Sequence, residues 1–153
     1  MKTKTIITEL NQEDLVDLLC TATYGSSWLD ITAPEKTGCD IKEEDCREDV
    51  WAKALLAGHK VKCFDYYAEG EVYGPLGKVI KKDGTGVYFV GLEEIKKGLQ
   101  ACADGTFKAN DGDAEYLAIC LNRFLNREEE CEFDNPTAES LMQVIMFGEL
   151  IYG

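Results

Sequence analysis

The sequence contains one histidine, three prolines and no Cys-x-x-Cys pair. A lone imidazole cannot supply the usual mixed Cys/His zinc set, and Cys39 and Cys46, which flank an acid-rich stretch, lack zinc-ligand spacing. No Gly-x-Ser-x-Gly elbow is present, so catalysis by His59 would need a nucleophile that only the fold could bring near. Gly74-Pro-Leu-Gly77 and Gly84-Thr-Gly86 lack the Lys-Ser/Thr of a phosphate-binding loop and read as turns. Asp104 to Asp113 has Lys108 where a calcium loop needs an oxygen ligand and Ala109 where it needs glycine. No metal, cofactor or catalytic constellation is expected, and the reading is of a non-enzyme.

Long apolar runs are missing too. Val144 to Phe147 is far shorter than the roughly 20 apolar residues that cross a bilayer, and the Met-Lys-Thr-Lys-Thr start lacks the apolar core of a signal peptide. Positive charge is scarce: 16 Lys and Arg stand against 29 Asp and Glu, a net charge of -13. That balance argues against passive attraction to nucleic-acid phosphates or to an anionic membrane. The seven cysteines are odd in number and scattered, which suits a reducing cytoplasm better than a disulfide scaffold. The expectation is a cytoplasmic protein with no membrane partner and no direct nucleic-acid binding.

What remains is enough for one core: 153 residues, 45% of them apolar. Thr3 to Leu10 alternates and predicts a strand. Asn11 with Asp14 forms a capping-box pair ahead of Leu15, Leu18, Leu19 and Ala22 at helical spacing, with Gly25 placed for a left-handed cap. Ser26 to Asp49 reads as a loop. A helix is predicted from Arg47 to Ala57, stopped by Gly58, and then a strand from His59 to Tyr67. Lys78 to Lys82 and Val87 to Val90 read as the arms of a hairpin turning at Asp83-Gly84.

Helices are predicted over Leu92 to Ala103, with Gly98 a weak point, and over Asp113 to Leu125. An acidic loop follows, Arg127 to Asn135. In the last helix Thr137 is the expected cap, Glu139 lies in the first turn, and Gln143 alone is polar between Leu141 and Phe147. Gly148 should end it before a short strand from Glu149 to Tyr152. Glu149 must there face water or be hydrogen-bonded, because a buried unpaired carboxylate is too costly. The fold class expected is α+β: a single domain with a small, mostly antiparallel sheet packed with four to five helices, including a buried C-terminal helix followed by a short C-terminal strand.

Charge is unevenly spread, with a mildly basic middle between two acidic ends. One acidic run holds Asp40, Glu43, Glu44, Asp45, Glu48 and Asp49; the other holds Glu128, Glu129, Glu130, Glu132 and Asp134. Carboxylates on a rigid surface can occupy the basic channel of a nucleic-acid-binding protein and steer its association. The middle interleaves Lys60, Lys62 and Lys81 with Phe64, Tyr66, Tyr73 and Tyr88, residue types that can stack a base and hold its phosphate. A core sheet with lysines in water is the plainer reading of that alternation.

Two segments carry a resemblance. Leu15-Val-Asp-Leu-Leu-Cys-Thr-Ala-Thr-Tyr-Gly-Ser-Ser-Trp28 and Leu141-Met-Gln-Val-Ile-Met-Phe-Gly-Glu-Leu-Ile-Tyr-Gly153 are similar to the ends of small acidic accessory proteins of phages and mobile elements. Those proteins close on Phe-Gly-Glu-aliphatic-aliphatic-aromatic-Gly. This chain departs in having Gly25-Ser26-Ser27 where a double glycine is usual. The resemblance implies a binding protein, most simply an anti-CRISPR-like inhibitor of a host defence protein, with the acidic runs as its surface. A sponge for a nucleotide-derived immune signal, using the aromatic and lysine residues, is one alternative, and a globular protein with a structural or interaction role is the other.

Overall fold

The computed structural model describes residues 9–34, 37–66, 71–73, 79–81, 86–107, 111–125 and 134–150. In chain order the elements are α1 (Gln12–Thr23), β1 (Leu29–Thr32), α2 (Arg47–Leu56), β2 (Val61–Asp65), β3 (Glu71–Tyr73), β4 (Val79–Lys81), β5 (Val87–Val90), α3 (Leu92–Asp104), α4 (Asp111–Leu125) and α5 (Asn135–Phe147). It is an α+β fold in which the strand pairings among the described residues are antiparallel.

Local chemistry accounts for most of the helix ends. Asn11 accepts the Asp14 N–H at 2.8 Å and Asp14 accepts the Asn11 N–H at 3.0 Å, so two otherwise orphaned donors are satisfied reciprocally. Gly148 ends α5 at φ 76°, a left-handed turn that costs glycine least. The helix contains Leu141, Met142 and Val144 in the core and touches α1, α3 and α4. Burying each such side chain contributes roughly 1.5–3 kcal/mol. Gly98 in α3 is more than a weak helix former. A Cβ there would lie 2.5 Å from Cγ1 and 2.7 Å from Cα of Ile145, so the glycine is what lets α3 and α5 approach.

Tertiary structure completes one helix end that local bonds satisfy only in part: the Tyr24 N–H reaches the Cys20 carbonyl at 3.0 Å and the Ser26 N–H the Thr23 carbonyl at 3.1 Å. No basic residue lies in the last turn of α1, and the side-chain amide of Asn135, from the start of α5, donates there instead. It reaches the carbonyls of Thr21, Ala22 and Tyr24 at 2.9, 3.2 and 3.1 Å.

Several expectations are corrected. The segment read as a loop from Ser26 to Asp49 contains β1, only four residues long and at the edge of the sheet among the described residues. The sheet order is β1-β2-β5, so β5 joins β2, while β4 pairs with β3 in a separate two-stranded sheet. The Asp83-Gly84 turn lies outside the described residues, and the expected hairpin partner of β5 is replaced by a strand distant in sequence. The cap of α5 is Asp134, whose carboxylate accepts the Thr137 N–H at 3.0 Å. Pro136 sits in the first turn, Thr137 is buried inside the helix and Glu139 falls past that turn. The predicted strand over Thr3 to Leu10 lies mostly outside the described residues, although Leu10 is buried. After Gly148, Glu149 makes a single β-bridge and Leu150 is buried; 151–153 lie outside the described residues.

The sheet has two unlike faces. Leu29, Ile31, Val61, Cys63, Asp65 and Val90 are buried toward the helices. α1 lies against β1, α2 against β2 and α5 against β5.

Candidate functional site

The first acidic run occupies the approach to α2 and the first turn of that helix. Lys53, one face of α2, organises it: its ammonium donates to the Asp40 carbonyl at 2.9 Å and to the Asp45 carboxylate at 2.5 Å. Asp45 also accepts the Lys42 N–H at 2.8 Å. The Lys53 hydrogen bond and then the Lys42 N–H hold the Asp45 carboxyl below its ordinary range, and Asp45 in turn raises Lys53. Behind the loop, the Cys39 thiol donates to the Lys53 carbonyl at 3.5 Å. His59 Nε2 lies 2.8 Å from the Thr37 carbonyl; a carbonyl only accepts, so that nitrogen carries the proton. His59 is thereby a tether for the loop.

Three of the six carboxylates in this run have structural partners. Asp45 is held by Lys53. Asp49 accepts both the Cys46 N–H at 3.2 Å and the Cys46 thiol at 3.1 Å. Glu48 pairs with Arg47 at 3.0 Å, and Arg47 also lies 3.7 Å from Asp30 and 5.1 Å above the Trp51 ring. Asp40, Glu43 and Glu44 are exposed on the held loop, around a half-exposed Ile41. Cys46 is exposed but not activated. The Asp49 N–H lowers its pKa, yet the carboxylates of Asp49 and Glu48 outweigh that and leave the thiol raised.

The second run is not comparable. Glu128, Glu129, Glu130 and Glu132 lie outside the described residues, and Asp134 serves as the α5 cap. The Thr137 hydroxyl and N–H hold its carboxyl below the usual value.

The lysine and aromatic residues of the middle are divided by the pleat. Lys62, Phe64 and Tyr66 point away from the helices, with the Lys62 ammonium 5.1 Å from the Phe64 ring. Tyr66 donates to Asp30 at 3.3 Å, and the nearby negative charge raises the phenol. Tyr88 lies on the opposite face, its ring edge-on to Phe147 at 5.2 Å. Lys60 is paired with Glu94 at 2.7 Å, which lowers that carboxyl, and Glu94 also accepts the Gly91 N–H that opens α3. The side chains of Tyr73 and Lys81, in β3 and β4, lie outside the described residues. Of the seven residues suggested for a nucleotide pocket, Lys62, Phe64 and Tyr66 share the open face of the sheet, whereas Tyr88 is on the face turned to the helices.

Two clefts escaped sequence reasoning. One, about 410 Å³, is shallow and lined by Asp30, Ile31, Thr32, Ala33, Arg47, Val50 and Trp51. It exists because β1 lies beside α2, and the Arg47/Trp51 spacing of one helical turn was its only local signal. The other, about 440 Å³, lies between α3 and α5 beside Gly98 and Ile145. Among the described residues, no group of three or more His, Cys, Asp or Glu side chains is placed to hold a metal ion, and no helix is long and apolar enough to cross a membrane.

The two segments that carry the resemblance meet in space. Trp28 packs on Phe147 with ring centroids 5.9 Å apart. Gly25 takes φ 70°, and Ser26, where the second glycine is usual, uses its hydroxyl to accept the Leu29 N–H at 3.1 Å. Comparison with protein-family models, curated proteins and solved structures found no match.

Proposed function

We propose that this protein is a non-enzymatic accessory protein of a phage or mobile element that binds and blocks a host antiviral defence protein, anti-CRISPR-like, through the loop from Asp40 to Asp49. One observation carries the reading: Lys53 fixes the loop while Asp40, Glu43 and Glu44 stay exposed around Ile41. Anchoring the loop from behind removes part of the ordering cost that a mobile acidic segment would meet on binding. An apolar side chain ringed by carboxylates fits a basic surface with a small apolar recess, and the chain's net charge of -13 would steer such a partner. The counter-defence role rests on the resemblance of the chain's two ends to phage accessory proteins.

The test is expression in a bacterial host with an active nucleic-acid-targeting defence system. The protein should restore plaque formation, and Glu43→Lys with Glu44→Lys should abolish the effect without altering the melting temperature. The purified complex should associate about ten-fold or more slowly as salt rises from low to physiological values. Full protection by the double reversal variant would reject the acidic loop as the binding surface.

A further inference from the structure

The face of the sheet that points away from the helices is built from two rows: Thr32, Lys62 and Phe89, then Asp30, Phe64 and Val87. Phe89 is 63% and Tyr66 62% exposed, although both are large aromatic side chains on or beside a sheet. Exposed aromatics on either side of a half-buried Phe64 make a patch of the kind that marks an interaction surface.

Its charges balance. Arg47 lies 3.7 Å from Asp30, Lys62 on the same face lies 5.1 Å over the ring of Phe64, which pairs across from Asp30, and Lys60 is bound to Glu94 at the margin. In a chain of net charge -13 this is an exception, and it bears on the choice of partner. A phosphate-bearing ligand would meet Asp30 and Glu94 as well as the lysines. A second copy of this chain is repelled by acidic surface elsewhere, but here it meets Lys62 where it offers Asp30, and aromatic rings where it offers aromatic rings. Growth by strand addition at β1 is blocked. The Ile31 N–H is taken by the Asp30 carboxylate at 2.8 Å and the Leu29 N–H by the Ser26 hydroxyl at 3.1 Å, so neither donor is open to an added strand on that side.

We infer that the open face of β1, β2 and β5 is the interface of a homodimer, with Phe89, Phe64 and Tyr66 at its centre and Lys62 opposed to Asp30 of the other copy. The inference is independent of the acidic loop, and salt separates the two. Screening weakens the attraction of the loop for a basic partner, whereas it removes the repulsion between two copies and strengthens the dimer.

Sedimentation equilibrium on the full chain at about 50 mM and about 500 mM NaCl tests this. A monomer–dimer equilibrium that tightens at the higher salt is expected. Phe89→Glu should raise the dissociation constant about 30-fold or more, the scale of a central aromatic anchor, with the circular dichroism spectrum unchanged. Lys62→Glu, a substitution on the same face, should weaken the dimer as well. A monomer at every concentration and both salts overturns the proposal, as does a dimer indifferent to Phe89→Glu. A monomer whose Phe89 becomes shielded only when ATP is added, or only in complex with another protein, assigns the face to that occupant and overturns it too.

Discussion

The α3–α5 contact and the loop ahead of α2 are both held firmly, but by different physics. Between α3 and α5 the constraint is space: Gly98 leaves no room for a Cβ beside Ile145, so nothing can be added without moving a backbone. Around Lys53 the constraint is a few directed bonds at a wet surface, to Asp40 and Asp45, and the side chains facing outward carry none of it. The first region fixes the fold and tolerates little change. The second holds a shape while leaving its outer residues free to vary, which is what a recognition surface requires.

The sharpest way to break this contrast is Gly98→Ala. Against a helix that gains from alanine by propensity alone, the clash with Ile145 should still destabilise the protein by about 3 kcal/mol in urea or thermal unfolding. A neutral or stabilising result would mean that α3 and α5 are not in close contact. Next in size is Asn135→Ala, which strips the donor from the Thr21 and Ala22 carbonyls of α1 and from Tyr24 just beyond it, and should cost about 1–2 kcal/mol. Asn135→Asp should be worse, since it sets a carboxylate against those carbonyls.

Acid should act more weakly, through the starts of α3 and α5. Asp134 and Glu94 have folded-state pKa values below their unfolded ones, so their contribution is fully present above about pH 4–5 and is lost as pH falls through the folded values. Unfolding free energy should therefore be flat toward neutrality and decline below about pH 4. Asp134→Asn keeps a capping oxygen but cannot titrate, and should flatten part of that decline; an unchanged profile would remove Asp134 from the account. The smallest effect belongs to the loop. Glu43→Lys with Glu44→Lys should shift stability by no more than about 0.5 kcal/mol, as exposed substitutions away from special features do.

Legibility followed the range of the interactions. The α1 capping box, the ends at Gly58 and Gly148, and the alternation of β2 are settled within a few residues, and all could be read. The start of α5 was legible but misjudged, because Asp134-Asn-Pro136 is a better opening signal than Thr137. Asp83-Gly84 suggested that β5 would pair with its neighbour in sequence, and β2 took that place because a central strand needs two partners and buries alternate residues. At the candidate site, the exposed acids were legible as a run. Which of them were neutralised was not, since that depended on Lys53, Arg47 and Cys46 arriving on one helix.

The sequence by itself determined an acidic α+β chain, the positions of its helices and the residues that line them, because periodicity and capping are local. Tertiary structure alone decided that Asn135 caps α1, that Gly98 is a contact and that Trp28 meets Phe147. It also decided which carboxylates face water. Each of these depends on atoms brought together from distant parts of the chain, where packing and hydrogen-bond geometry, not propensity, determine which partner is found.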